Sequence, residues 1–354
     1  MLSTEDMGGV PVTPEQLAEM QAGDYILHAR DGELNKVEVE KIRLPLDPQG
    51  HVQRLGLVLA PDGTIYAAQQ TIISKSTDGG ETWDHLERDA SAFGFNGWLL
   101  QVNTEGRLLN FSRSGEERPT VWASDDEGET WEQICQIDIA PIENGEIGSS
   151  VTRLEDGTLL LPVKCRDKDF YKGTNSTYVF RSKDGGQTFS QRALLSDYAN
   201  EVNIAELSPG RLLAVIRYQP GPPDQPHTNK TVFLADSVDG GSTWTDLRQL
   251  TSVHGQCHGA AVGLTRDRAV AAYDHRYPRE MGSGRAMVSS DNGRNWSDEV
   301  YYLCHGRAAG FPRHISVDGE QILTLIGSCY GDVESWDKAI GNSRFCVIRW
   351  SPVP

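Results

Sequence analysis

Four arginines close four consecutive apolar runs of this chain: Arg113 after LLNFS, Arg166 after LLPVKC, Arg217 after LLAVI and Arg276 after AVAAYDH. Each run follows a short turn and an earlier apolar run, so the guanidiniums hold equivalent places in a repeated hairpin. Eight residues ahead of the turn stand Glu201 and His258 in two of these hairpins and Arg54 in an earlier one over 55–68. Guanidiniums gathered in one place suit bidentate recognition of a carboxylate or sulfate. Glu201 among them is a candidate acid or base, and neighbouring cations should depress its pKa and favour the base. His258 in GQCHGAAVG and His275 in AYDHRYP are further candidates, because histidine titrates near neutral pH. Asp274, beside His275, could orient or charge a neighbour. Tyr330, at the end of a sixth hairpin, offers a nucleophilic oxygen at an expected pocket position, whereas Tyr273 and Tyr277 read as packing or stacking residues.

Repetition is what must bring these side chains together. Strand–turn–strand hairpins read at 55–68, 98–111, 150–163, 204–216, 260–273 and 314–326. Out of phase with them runs the phrase Ser-x-Asp-x-Gly-x-x-aromatic: STDGGETW at 76–83, SDDEGETW at 124–131, SKDGGQTF at 182–189, SVDGGSTW at 237–244 and SSDNGRNW at 289–296. Its Asp and Gly turn the chain tightly, and the aromatic closes the turn as an apolar plug. Two interleaved repeats at a period of about 50 residues predict an all-β chain, a six-bladed β-propeller of four-stranded antiparallel blades. Ring closure should mix the chain ends in one blade, with the segment 36–45 as its outer strand and SRFCVIRW at 343–350 beside it. Residues 13–23 predict a short N-terminal helix, with Thr13 as N-cap, Pro14 first and Gly23 as the stop. The expected organisation is an extension over 1–35 and a propeller over 36–354.

A formal net charge of −17 argues against nucleic acid or an anionic membrane as partner. No stretch approaches the ~20 apolar residues of a membrane span. The opening MLSTEDMGGV lacks the basic and apolar regions of a secretory signal. Cys135, Cys165, Cys257, Cys304, Cys329 and Cys346 are scattered without CxxC spacing, so reduced thiols and a cytoplasmic location are expected and a metal cluster is not. Neither GxGxxG nor GxxxxGK(S/T) occurs, and no turn continues with EF-hand spacing, so no cofactor is expected. Association into a homo-oligomer stays open.

The five turn phrases resemble the Asp-boxes of the sialidase-like superfamily, and the resemblance covers nearly all of 50–350. It implies a pocket in which three arginines clamp a substrate carboxylate, a Glu activates a Tyr nucleophile, and an Asp on a loop is the acid/base. EVNIAELSPGRLLAVIR is similar to the segment of the activating Glu and second arginine, which nominates Glu201 and Arg217. VQRLGLVLAPDG is similar to the first-arginine segment and nominates Arg54, with Arg43 of IRLP in reserve. Arg276 is nominated as the third arginine, with Arg279 and Arg285 as alternatives. Two departures stand out. AAGFPRHISVDG opens the sixth hairpin with Phe311 where the Tyr belongs, and IYAAQQTIISKSTDGG has no acid ahead of its box. The resemblance therefore implies a sialidase-like hydrolase of an acidic sugar or oligosaccharide, working through a non-standard set of groups. Its chemistry would fall to Glu201, His258, His275 and Tyr330. Substrate contacts would come from Arg54, Arg113, Arg166, Arg217, Arg276 and Phe311. A uronate polysaccharide lyase and a non-catalytic glycan-binding propeller are the alternatives, since one propeller hosts many functions.

Overall fold

The computed structural model describes residues 10–45, 56–69, 71–95, 98–112, 118–140, 145–147, 150–165, 176–220, 230–306, 312–329 and 343–354. Six antiparallel sheets radiate around an axis, one for each predicted hairpin. Blade four shows the plan: Ala199–Ser208 is innermost, followed outward by Arg211–Tyr218, Thr231–Ser237 and Thr245–Gln249. In blade five the order is Gln256–Gly263, Ala269–His275, Ser283–Ser289 and Val300–His305. Six apolar clusters fill the seams between neighbouring blades, and a seventh lies beneath the N-terminal helix.

The recurring turn phrase works as its composition predicts. In the first copy Ser76 Oγ accepts from the Gly80 amide at 2.8 Å and donates to Asp78 Oδ1 at 2.8 Å. Asp78 in turn accepts from the amides of Glu81 and Thr82, and Trp83 Nε1 caps the Gly80 carbonyl at 3.0 Å. The glycine edge of each turn lies on an aliphatic side chain of the preceding blade: Gly128 on Ile73, Gly186 on Leu109, Gly241 on Leu160 and Gly293 on Leu207. Gly80 of blade one completes the circuit on Leu323 of blade six. The phrase is therefore a joint between blades as well as a turn within one.

Closure follows the expected course. Glu40–Arg43 pairs with Ser343–Trp350 as the outer strand of blade six, placing Arg43 opposite Cys346. The helix runs Pro14–Ala22, with Thr13 Oγ1 accepting from the Gln16 amide and the Gln16 side chain accepting from the Thr13 amide. An additional hairpin, Tyr25–Arg30 with Glu33–Glu38, was not anticipated in the 1–35 extension and widens blade five to six strands. Its signal is present in the two-residue Asp31-Gly32 loop, both residues having positive φ, which is the strongest short-range hairpin cue. The five cysteines whose side chains are described are free. No helix among the described residues is long and apolar enough to cross a membrane.

The inner strands of all six blades surround an axial channel of about 400 Å³. The hairpin turns sit at one end of these strands. Glu201, Arg217, His258 and His275 sit at the other, where the inner strands begin and the second strands finish.

Candidate functional site

Two inner strands carry the same distortion. Pairing of Ala199–Ser208 slips between Ala199 and Val202, and pairing of Gln256–Gly263 slips between Cys257 and Ala260. The extra residues of these bulges include Glu201 in blade four and His258 in blade five. A bulge breaks strict side-chain alternation and re-aims a residue, which is how the two groups come to face each other. His258 has φ +46°, the left-handed region that a non-glycine residue enters at a cost, and such strain concentrates at functional sites.

Around His258 the side chains form an alternating row of charge. Arg217 Nη1 donates to Glu201 Oε2 at 2.8 Å and lies 2.9 Å from His258 Nε2. Glu201 Oε1 is 3.6 Å from that same ring nitrogen. On the other side of the ring, Asp274 Oδ2 is 3.1 Å from Nδ1 and accepts from Arg276 Nε at 2.7 Å, with Arg276 Nη2 2.6 Å from Nδ1. Asp274 is fully buried and His258 is 2% exposed.

Burial penalises charge on every one of these groups, and the neighbours reverse it. For Glu201, burial works to raise the carboxyl, but Arg217 and then His258 outweigh it and hold it well below the carboxylate range. Asp274 is pulled down to about 2, with Arg276 and His258 overcoming its burial. Burial opposes a proton on His258, yet the acidic groups around it, Cys257, Asp274 and Glu201, carry it up to about 9 against Arg276. Glu201 is thus held ionised, and the carboxylates draw a proton toward His258, 3.6 Å away, against guanidinium donors that face both of its ring nitrogens.

More cations border this row. Lys164 is buried, 3.1 Å from Glu146 Oε2 and 2.9 Å from Asn200 Oδ1, next to Glu201 in the chain. Lys230 lies near Arg217 and Arg276, and burial followed by those guanidiniums lowers its ammonium pKa. Lys164, Arg217, Lys230 and Arg276 thus face the carboxylates Glu146, Glu201 and Asp274, with His258 able to add a further positive charge. Arg217 Nε is buried with no hydrogen-bond partner among the described residues. Among the described residues there is here a local excess of positive charge, in a chain of net charge −17, and it favours an anion. Cys257, His258 and Asp274 do bring ligand atoms within 4.8 Å of one another. Guanidinium groups already hold the imidazole and the carboxylate there, so the donor set does not suit a metal ion.

Of the residues nominated from sequence, Glu201, His258, Arg217 and Arg276 meet in this cluster. Asp274 does orient a neighbouring histidine, but it is His258 and not His275. His275 departs from the expectation: strand alternation turns it away from Asp274, and it sits 3.4 Å from Gln256, kept neutral down to about 3 by burial and Arg285. Arg285 is excluded as the third arginine, since it is buried against Ser283 and over the Tyr302 ring. Arg43 is excluded too, being on the outer strand of blade six. Arg54, Arg113, Arg166, Phe311 and Tyr330 lie outside the described residues, as does the Arg279 side chain. Lys164 and Lys230 were missed. A lone lysine inside the apolar run LLLPVKC was a usable signal for the first, while nothing marks the second.

A family model described as a BNR repeat-like domain matches residues 102–323. A sialidase of Paraclostridium sordellii is 25% identical over 229 residues, covering 54% of this chain and 54% of that protein. The chain thus spans about half the length of the curated relative it matches. A solved structure of a protein of unknown function from Dyadobacter fermentans aligns with TM-score 0.67 and 17% identity, over 88% of this chain and 97% of the other. The Hadza microbial sialidase Hz136 gives 0.61 and 18%, covering 89% and 69% respectively. An α-L-arabinanase of Penicillium chrysogenum complexed with arabinobiose gives 0.61 and 15%, covering 89% and 99%. At these identities the structural likeness establishes the fold.

Proposed function

The chain belongs to the BNR repeat-like domain family, and from that premise we propose that it is a glycoside hydrolase acting on a carboxylate-bearing sugar. The observation that carries this reading is the row Arg217–Glu201–His258–Asp274–Arg276 at the converging strand ends. Arg217 and Arg276 would take the sugar carboxylate, the buried Arg217 Nε–H having no acceptor among the described residues. Glu201 would act as general base, withdrawing a proton from the attacking oxygen, while the His258–Asp274 pair holds its geometry and charge. Hydrolysis by inversion places acid and base about 6.5–9.5 Å apart, on opposite faces of the sugar. Glu201 and His258, 3.6 Å apart, therefore serve one face together, and the departing oxygen takes its proton from another group.

That same closeness supports a second reading, a uronate lyase, in which one clustered base removes the proton next to the carboxylate that the arginines neutralise. Both are tested by incubating the protein with oligosaccharides of sialic and uronic acids and reading released reducing sugar and ultraviolet absorbance together. Reducing sugar without absorbance, lost in Glu201→Gln and His258→Ala, is the expected result. An unsaturated, absorbing product would select the lyase, and undiminished hydrolysis in both variants would sink the assignment of these residues.

A further inference from the structure

Beside the charged row stands an aromatic surface that the chemistry above does not use. Tyr277 directly follows Arg276 and is 44% exposed, one of few large hydrophobic side chains so open to solvent among the described residues. Its ring lies on the His254 ring, with centroids 5.5 Å apart and planes within 12°. Between them the chain passes through Gly255 at φ +90°, where a methyl group would meet the Tyr277 ring at 2.3 Å. Only glycine lets the ring settle against this backbone.

The support beneath is firm. Met281, four residues on, packs in the cluster of Leu17 and Met20 from the N-terminal helix. The Gly306 amide donates to the Gly282 carbonyl at 2.9 Å, and the Gly255 amide donates to the Lys230 carbonyl at 2.9 Å. Burial and then Lys230 lower the pKa of His254, which favours its neutral ring. An exposed, pre-set aromatic face next to an anion-binding arginine calls for a ligand with a charged part and an adjoining apolar face. The C–H face of a neutral pyranose supplies the second.

We infer that Tyr277, stacked on His254 across Gly255, is a binding platform for a neutral sugar joined to the acidic one. This rests on the reading of the arginine row as a carboxylate-sugar site, and it assigns the substrate class as an acidic sugar within a longer glycan. The platform can be tested apart from that reading. Saturation-transfer NMR with lactose, a neutral disaccharide, should give a signal with the wild type and with Tyr277→Phe that falls at least fivefold in Tyr277→Ala. In turnover, the ratio of KM for a methyl glycoside of an acidic sugar to KM for the same sugar on lactose should fall at least tenfold in Tyr277→Ala and recover in Tyr277→Phe. Equal lactose signals in wild type and Tyr277→Ala, or an unchanged KM ratio, would overturn the platform. Tyr277-dependent lactose binding with no turnover of any acidic sugar would leave the platform standing and remove the proposed hydrolysis.

Discussion

His258 should make folding stability depend on pH in a window where few other groups titrate. Its ring is 2% exposed and its folded pKa is raised from 6.5 to about 9 by the acidic groups around it. A raised pKa means that the folded state holds the proton more tightly than the unfolded chain. The stabilisation is complete below about pH 6.5 and is lost as pH rises through about 9. At about 1.4 kcal/mol per pKa unit the loss amounts to about 3 kcal/mol, a large share of a domain's usual 5–15 kcal/mol. Urea unfolding of wild type and His258→Gln, repeated between about pH 6 and about pH 10, isolates the effect, because other titrations cancel in the difference. The wild type should be the more stable below about pH 6.5, with the gap narrowing by about 3 kcal/mol across the window. Parallel curves would mean that the two guanidiniums beside the ring, not the carboxylates, set its charge, and the reasoning about the row would fall.

Other expectations follow from the same geometry. Glu201→Gln should keep the fold and lower kcat by about 10²–10⁴-fold, the usual worth of a general base, measured as product release. Arg217→Lys keeps the charge but loses the fork that reaches Glu201, so KM for the acidic sugar should rise about 10–100-fold, as losing one charge-assisted hydrogen bond implies. Gly263→Ala would bring a methyl to 2.0 Å from the Leu207 carbonyl oxygen, a backbone atom that cannot step aside. Its denaturation midpoint should fall by the equivalent of about 1–3 kcal/mol. Gly259→Ala would press Val215 at 2.2 Å and widen the distance between Arg217 and His258, so its activity should drop by more than its stability does. A Gly259→Ala protein as active as wild type would show that the blade spacing there does not control the row.

How much of this was legible in the sequence depends on the range of the interaction concerned. The blades were legible because each repeat writes its own turn chemistry locally, as Ser76, Asp78, Gly80 and Trp83 do within eight residues. Glu201, His258, Arg217 and Arg276 were legible because equivalent positions in successive hairpins must converge on one axis. The pairing of Asp274 with His258 was not, since it depends on a bulge that moves His258 out of strict alternation, and no residue type announces the bulge. His275 looked equal to His258 in sequence, and only the parity of its strand separates them. The N-terminal hairpin was missed although Asp31-Gly32 stated it plainly, because strands 25–30 and 33–38 follow the helix rather than the repeat.

The cluster straddles a seam, and its charge balance explains why burial of so many ionisable groups is tolerated. Blade four contributes Glu201 with Arg217, and blade five contributes Asp274 with Arg276, each pair joined within its own sheet. Each pair is neutral in sum, so each blade compensates its own buried charge before the seam closes. His258 lies where the two pairs face each other, between Glu201 and Asp274. What brings them within reach is the seam itself, whose apolar cluster packs Ala205, Leu213 and Val215 against Ala261, Ala271 and Tyr273. Gly259 and Gly263 remove side chains from the inner strand of blade five where blade four approaches most closely, at Val215 and at Leu207. The first of these glycines directly follows His258. Close packing and proton affinity therefore meet in adjacent residues: the missing side chain at 259 lets blade four approach, and with it Glu201 and Arg217 come within reach of the ring at 258.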